Sequence, residues 1–183
     1  MKTPTNFNIG YKLFEMNDKG QLFPLFISKN KETPIGEWVP AENNPTKGYS
    51  ARPGWHCSMT VPDAPHLRGY AEGELGPYKS RFKNGKRVWC EVLYNTTVDY
   101  RDEVSKLPRK CFTDRLPING WYLFNEGNRS TWAISDAIKV TRILSEEERQ
   151  QILKEMNYDE AAAFEPYRKA LEKRMKNCTN IQN

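Results

Sequence analysis

Two histidines, His56 and His66, are all that this 183-residue chain contains, and its four cysteines, Cys57, Cys90, Cys111 and Cys178, stand far apart with no Cys-x-x-Cys pair. A zinc set drawn from His56, Cys57, His66 and Cys90 would need adjacent His-Cys ligands and a second histidine ten residues after the first. That arrangement matches no common zinc-ligand spacing. A Gly-x-Ser-x-Gly elbow is missing, so a Ser/His/Asp nucleophilic site has no anchor. The nearest thing to a Gly-rich phosphate loop, Glu72-Gly73-Glu74-Leu75-Gly76, is acidic and irregular. No apolar run approaches the ~20 residues of a membrane helix. The first residues, Met1-Lys2-Thr3-Pro4-Thr5-Asn6, lack the apolar core of a signal peptide. These absences predict a cytoplasmic protein with reduced thiols, no cofactor and no membrane partner, and they favour binding over catalysis.

What the chain does have is a folded composition. Aromatic residues make up 12%, including five Trp and nine Tyr, which is far from the aromatic-poor signature of disorder. A chain of this length is expected to bury roughly 70% of its unfolded surface around one core. Charge is unevenly distributed. Residues 1–45 carry five basic and five acidic side chains, residues 46–144 carry sixteen and ten, and residues 145–183 carry seven and eight. The whole net charge of +5 therefore arises in the middle segment.

Within that segment, Lys79-Ser80-Arg81-Phe82-Lys83-Asn84-Gly85-Lys86-Arg87 holds five positive charges and no negative one. Asn-Gly between strand-like runs is a strong hairpin signal, so the pattern predicts a basic β-hairpin over 79–94. Lys and Arg neutralise phosphates, and Tyr78, Phe82 and Trp89, interleaved with them, offer rings for stacking on bases. The alternative is a solvated tip. Lys106, Arg109 and Lys110 form a second basic cluster around Pro108. A third group, Arg52-Pro53-Gly54-Trp55-His56, pairs a tight turn with Arg, Trp and His, and Arg52, Trp55 and His56 are a candidate ligand pocket. With Tyr70 and Glu91 or Glu126, His56 could also supply the residue types of an ADP-ribosyltransferase-like enzyme acting on nucleotides.

Alternating runs at 10–16, 22–27, 35–39, 55–61, 88–94, 121–124, 131–134 and 137–144 predict short strands. The expected fold is α+β: a curled, barrel-like antiparallel sheet over 1–144, followed by a helical hairpin over 145–183. Ser145-Glu146-Glu147-Glu148 fits a capping box. Ile152, Leu153 and Met156, then Phe164, Tyr167, Leu171 and Met175, mark two amphipathic faces. These faces either cover the sheet or join two copies in a homodimer.

In this order, Gly10-Tyr11-Lys12-Leu13-Phe14, Pro24-Leu25-Phe26, Gly36-Glu37-Trp38, Arg52-Pro53-Gly54-Trp55-His56, Ala64-Pro65-His66-Leu67 and Val88-Trp89-Cys90-Glu91-Val92 resemble small proteins encoded by phages and prophages of gut bacteria. The likeness spans about residues 10–144. The length and phage character are also similar to a type II-A anti-CRISPR protein. That resemblance implies a non-enzymatic inhibitor that binds Cas9, its guide RNA or the target DNA, and it brings no catalytic residues. An acidic DNA mimic would suit the basic channel of Cas9; a chain of +5 suits phosphates or an acidic protein face better.

Overall fold

The structure is a computed structural model that describes residues 3–26, 28–42, 54–68, 70–71, 74–75, 78–106, 117–125 and 131–179. Arg52, Arg109, Lys110, Cys111 and Glu126, all singled out above, lie outside the described residues. The fold is α+β. A nine-stranded sheet comprises β1 (Phe7–Met16), β2 (Leu22–Phe23), β3 (Trp38–Pro40), β4 (Trp55–Ser58), β7 (Lys86–Asn95), β8 (Val98–Asp99), β9 (Gly120–Asn125), β10 (Thr131–Ser135) and β11 (Ala137–Ile143). A separate small pair joins β5 (Tyr70–Ala71) to β6 (Glu74–Leu75). Among the described residues three α-helices follow or intervene: α1 (Arg101–Ser105), α2 (Glu146–Glu155) and α3 (Glu160–Thr179).

Strand order runs β3-β11-β7-β1-β4-β10-β9-β8, with β2 beside β1, and every ladder is antiparallel except β8 with β9. The sheet curls strongly. Tyr94 on β7 and Trp121 on β9 are four strands apart in that order, about 19 Å across a flat sheet, yet their rings sit 5.6 Å apart. Only Asp136 separates β10 from β11, although three strands lie between them in the sheet. The curl stops short of closure: among the described residues no ladder joins β3 to β8. The barrel expectation is corrected to an open, curled sheet.

Period-two alternation builds two cores on this frame. On the inner face, Val88, Cys90, Val92 and Tyr94 pack with Phe14, Cys57, Trp121, Ala133, Ile138 and Val140. On the outer face, Leu13 and Trp89 pack with Ala64, Leu144, Tyr78 and Ile152. Helix α2 begins with the predicted capping box, Ser145 Oγ accepting from Glu148 N and Glu148 Oε2 from Ser145 N. Asn157, at φ 50°, turns the chain out of it. The Asp159 carboxylate then accepts from Ala161 N and Ala162 N to start α3, which runs on through Pro166. Ile152 packs against the outer core of Leu13 and Trp89, Leu153 and Phe164 are buried within the chain, and α3 lies against the turn at Pro65–Leu67.

A polar knot fastens the helices. The Asp63 side chain is shut off from solvent. Its Oδ1 accepts from Tyr78 OH at 2.7 Å, Arg149 Nη2 at 3.2 Å and Arg68 Nε at 3.3 Å, and its Oδ2 from Tyr158 OH at 2.9 Å. Arg149 also donates to the Pro62 carbonyl at 2.8 Å and to Glu160. Burial raises the Tyr78 hydroxyl to about 12, with the Asp63 charge adding to the effect. Burial also pushes the Glu160 carboxyl up, but hydrogen bonds from Arg149 and Gln150 and the charges of Arg149 and Arg68 outweigh it and hold it below its ordinary value.

Removing one partner of a buried pair leaves an uncompensated charge. Arg149→Ala is therefore expected to lose about 3–5 kcal/mol in urea unfolding, and Tyr158→Phe about 1–2 kcal/mol; a loss near zero for Arg149→Ala would show the knot to be dispensable. Because the folded Glu160 carboxyl lies below its unfolded value, its contribution is complete above the ordinary carboxylate range and fades as pH falls through the folded value. Glu160→Gln should flatten the decline in stability measured on acidification below about pH 4.5.

Candidate functional site

The basic segment begins where the knot ends, at Tyr78. Residues 79–85 are loop and turn rather than strand, and only Lys86 and Arg87 belong to β7. The hairpin expectation is corrected here. The antiparallel partner of this start of β7 is β1, with Lys86 opposite Met16 and Arg87 opposite Glu15. The reason lies in Glu15, only 1% exposed. Its Oε2 accepts from Ser80 Oγ at 2.6 Å and from Arg81 N at 3.3 Å, and its Oε1 from Arg87 Nε at 2.8 Å. A buried carboxylate must gather donors, and here it draws the loop down onto β1 instead of into a ladder with β7. Gly85 belongs to a turn closed by its N–H on the Phe82 carbonyl. It is required by close approach, since a Cβ there would meet Met16 O at 2.5 Å.

The cations divide into two kinds. Arg87 is bound to Glu15. Arg81 lies over the Phe82 ring at 4.8 Å and the Phe23 ring at 5.9 Å, and its guanidinium donates to the Lys29 carbonyl. Phe82 itself is half-buried, tilted against Phe23 with centroids 5.3 Å apart. Lys79, Lys83 and Lys86 are exposed, and none forms an ion pair with a described carboxylate. Burying Glu15 beneath them leaves a positive surface. Lys106 does not join it: exposed at the end of α1, it sits by β9, four strands from β7.

Trp55 and His56 lie on β4, Trp55 donating its indole N–H to the Val39 carbonyl at 3.0 Å. Gly54, at φ 132°, precedes them, and a Cβ there would meet Ile134 Cγ2 at 2.5 Å. Trp55 walls a cleft of about 60 Å³ together with Val39, Thr33, Lys31 and Glu42. Lys31 and Glu42 are paired with each other across it. Glu91, from the nucleotide-enzyme alternative, is separated from His56 by β1 and is engaged by Thr141 Oγ1 at 2.9 Å and by Arg142 at 3.2 Å. Cys57 and Cys90 are fully buried, and burial raises their thiols to about 11 and about 12. Among the described residues no cluster of His, Cys, Asp or Glu could hold a metal ion.

Two residues escape a reading by local pattern. Glu15 looks like an outward polar position in Gly10-Tyr11-Lys12-Leu13-Phe14-Glu15-Met16, and it is outward, but the basic loop covers it. Lys12 shares its face with Phe14 and Met16, which both belong to the inner core. The parity of those two apolar residues was the available signal for its position. Compared with protein-family models, curated proteins and solved structures, the chain matches none.

Glu15→Ala is expected to destabilise the protein by about 3 kcal/mol and to speed hydrogen exchange at the Arg81 amide. Lys83→Ala should change neither, and equal exchange rates in the two variants would contradict the role given to Glu15.

Proposed function

We propose that this chain is a non-enzymatic phage protein that binds the phosphates of a nucleoprotein complex through the loop and strand start at 79–87. The observation that carries the reading is the segregation of charge there. Glu15 is buried beneath the loop, while Lys79, Lys83 and Lys86 face solvent around an Arg81 guanidinium stacked on Phe82 and Phe23. An ammonium group in water is a mobile, hydrated point charge suited to phosphate contact without sequence readout. A guanidinium already lying on aromatic rings offers its edge to phosphate and adds a planar surface beside a base or sugar. The resemblance to type II-A anti-CRISPR proteins supports guide-loaded Cas9 as the complex, with contact to exposed guide RNA or target DNA. The chain carries net positive charge, so mimicry of DNA is a poor account of such inhibition.

Binding of the purified protein to duplex DNA, RNA and guide-loaded Cas9 across a salt series tests this reading. Each neutralised phosphate contributes about 0.9 to the log–log slope on duplex DNA. The combined variant Lys79→Ala, Lys83→Ala, Lys86→Ala is expected to lower that slope by roughly 2–3, with an unchanged thermal midpoint. Affinity and slope equal to the parent protein would overturn phosphate contact at this surface. Salt-insensitive binding to Cas9 alone would also overturn it and would place recognition on the protein.

A further inference from the structure

The helices cover only part of the outer face. Ile152 of α2 packs over Leu13 and Trp89, and Arg142 ties Glu91, on the next rung, to Glu148 at the start of α2. Beyond that rung the register sets Ile9 opposite Leu93, Leu93 opposite Lys139, and Lys139 opposite Trp38. Directly opposed residues share a face, so these four side chains form one row across β1, β7, β11 and β3. Phe7, one step further along β1 on the same face, reaches over the intervening strands to Trp38, with ring centroids 6.0 Å apart. Phe7 is 49% exposed and Ile9 57%, while Leu93, Lys139 and Trp38 are half-buried.

Among the described residues no core cluster includes Phe7, Ile9, Leu93 or Trp38. Apolar side chains gathered in one exposed patch mark a contact surface, and aromatic rings are enriched at the centres of such surfaces. The cation in this patch is Lys139, which forms no ion pair or hydrogen bond with a described residue. Lys12, by contrast, is held on the inner face by the His56 carbonyl at 2.9 Å and by the Trp55 and Phe14 rings. Nor is a local acid at hand for Lys139. Glu91 is already engaged by Thr141 and Arg142, and Glu37, just before Trp38, does not pair with it.

We propose that Phe7, Ile9, Leu93, Lys139 and Trp38 form a docking surface for a protein segment that carries bulky apolar side chains around one carboxylate. The apolar side chains lie against Ile9, Leu93 and the two rings, and the carboxylate meets Lys139. Charge complementarity decides the occupant. Covering an ammonium with a wholly apolar segment desolvates it without compensation, so a neutral segment is rejected and an acidic one admitted. A second copy turned about a two-fold axis presents the same row, which offers Lys139 another lysine and no carboxylate. A phosphate backbone would find one lysine among aliphatic side chains, without the clustered cations of the basic loop. The two surfaces are separate: the stretch of β1 from Ile9 to Glu15, beneath that loop, spans about 20 Å.

The test titrates the isotope-labelled full chain with a capped peptide, Gly-Leu-Phe-Asp-Leu-Phe-Gly, and with the same peptide carrying Asn in place of Asp. Amide shifts at Ile9, Trp38, Leu93 and Lys139 are expected, and the acidic peptide should bind about tenfold tighter than the neutral one. Lys139→Met is expected to erase that difference with an unchanged thermal midpoint. The comparison of the two peptides on the parent protein needs no variant to fold. Equal affinities, shifts confined to residues 79–87, or no shift along the row would overturn the proposal. A uridine oligonucleotide that shifts the row in place of the acidic peptide would also overturn it. So would a dimer in sedimentation that Ile9→Ser dissociates, since the face would then belong to a second copy.

Discussion

The carboxylate of Asp63 is the constraint on which the packing of this molecule turns. It sits without solvent contact among two guanidiniums and two phenols. Its donors come from four places in the chain: Arg68 just beyond it, Tyr78 at the head of the basic loop, Arg149 in α2 and Tyr158 before α3. A buried charge tolerates no missing partner, so all four segments must be in place together. Apolar burial of Leu13, Trp89 and Leu144 supplies driving force but fixes no orientation. The direction comes from the knot, and with it the placement of Tyr78, from which the loop starts.

Glu15 repeats the arrangement on the other side of Tyr78. Both acids are buried and both are met by arginine, whose planar, weakly hydrated fork loses less on desolvation than an ammonium does. Lysines 79, 83 and 86 stay in water, where a compact, strongly hydrated charge belongs. This division of labour separates the charges: the acids are buried with Arg87, Arg68 and Arg149, and the three lysines are left facing solvent. The two acids are covered, and their charge is balanced by Arg87, Arg68 and Arg149. The net positive charge concentrated in residues 46–144 becomes a surface property only after these acids have been placed.

Local grammar explains what was legible in the sequence and what was not. The capping box at Ser145 and the turn at Asn157 depend on neighbours three or four residues away, and the chain states them directly. Most strand positions followed from alternation, with ends shifted by a few residues, whereas the two-residue strands β5, β6 and β8 gave no such pattern. Asn84-Gly85 misled because its strongest local reading, a hairpin, competes with a partner 65 or more residues away: Glu15 captures Ser80 and Arg87, and β1 takes the whole edge of β7. The Asp63 knot spans separations of up to 95 residues, beyond the reach of any periodicity. Of the candidate site, the identity of the basic residues was legible. Their division into bound arginines and solvated lysines depended on acids that give no local sign of burial.

Lys12 sets a different problem from the surface lysines, because stability gives no reason for it. An ammonium in the inner face must be desolvated, and replacing a buried charged group with an apolar one of similar volume is often neutral or stabilising. Lys12 has a carbonyl and two aromatic rings around it, which orient the group without neutralising it as Glu15 neutralises Arg87. A structural lysine would be expected to find a carboxylate, as Arg68, Arg87 and Arg149 do. The arginines also show that the fold can bring a carboxylate to a buried cation when it needs one. The amine at position 12 is thus oriented by its surroundings rather than neutralised by them.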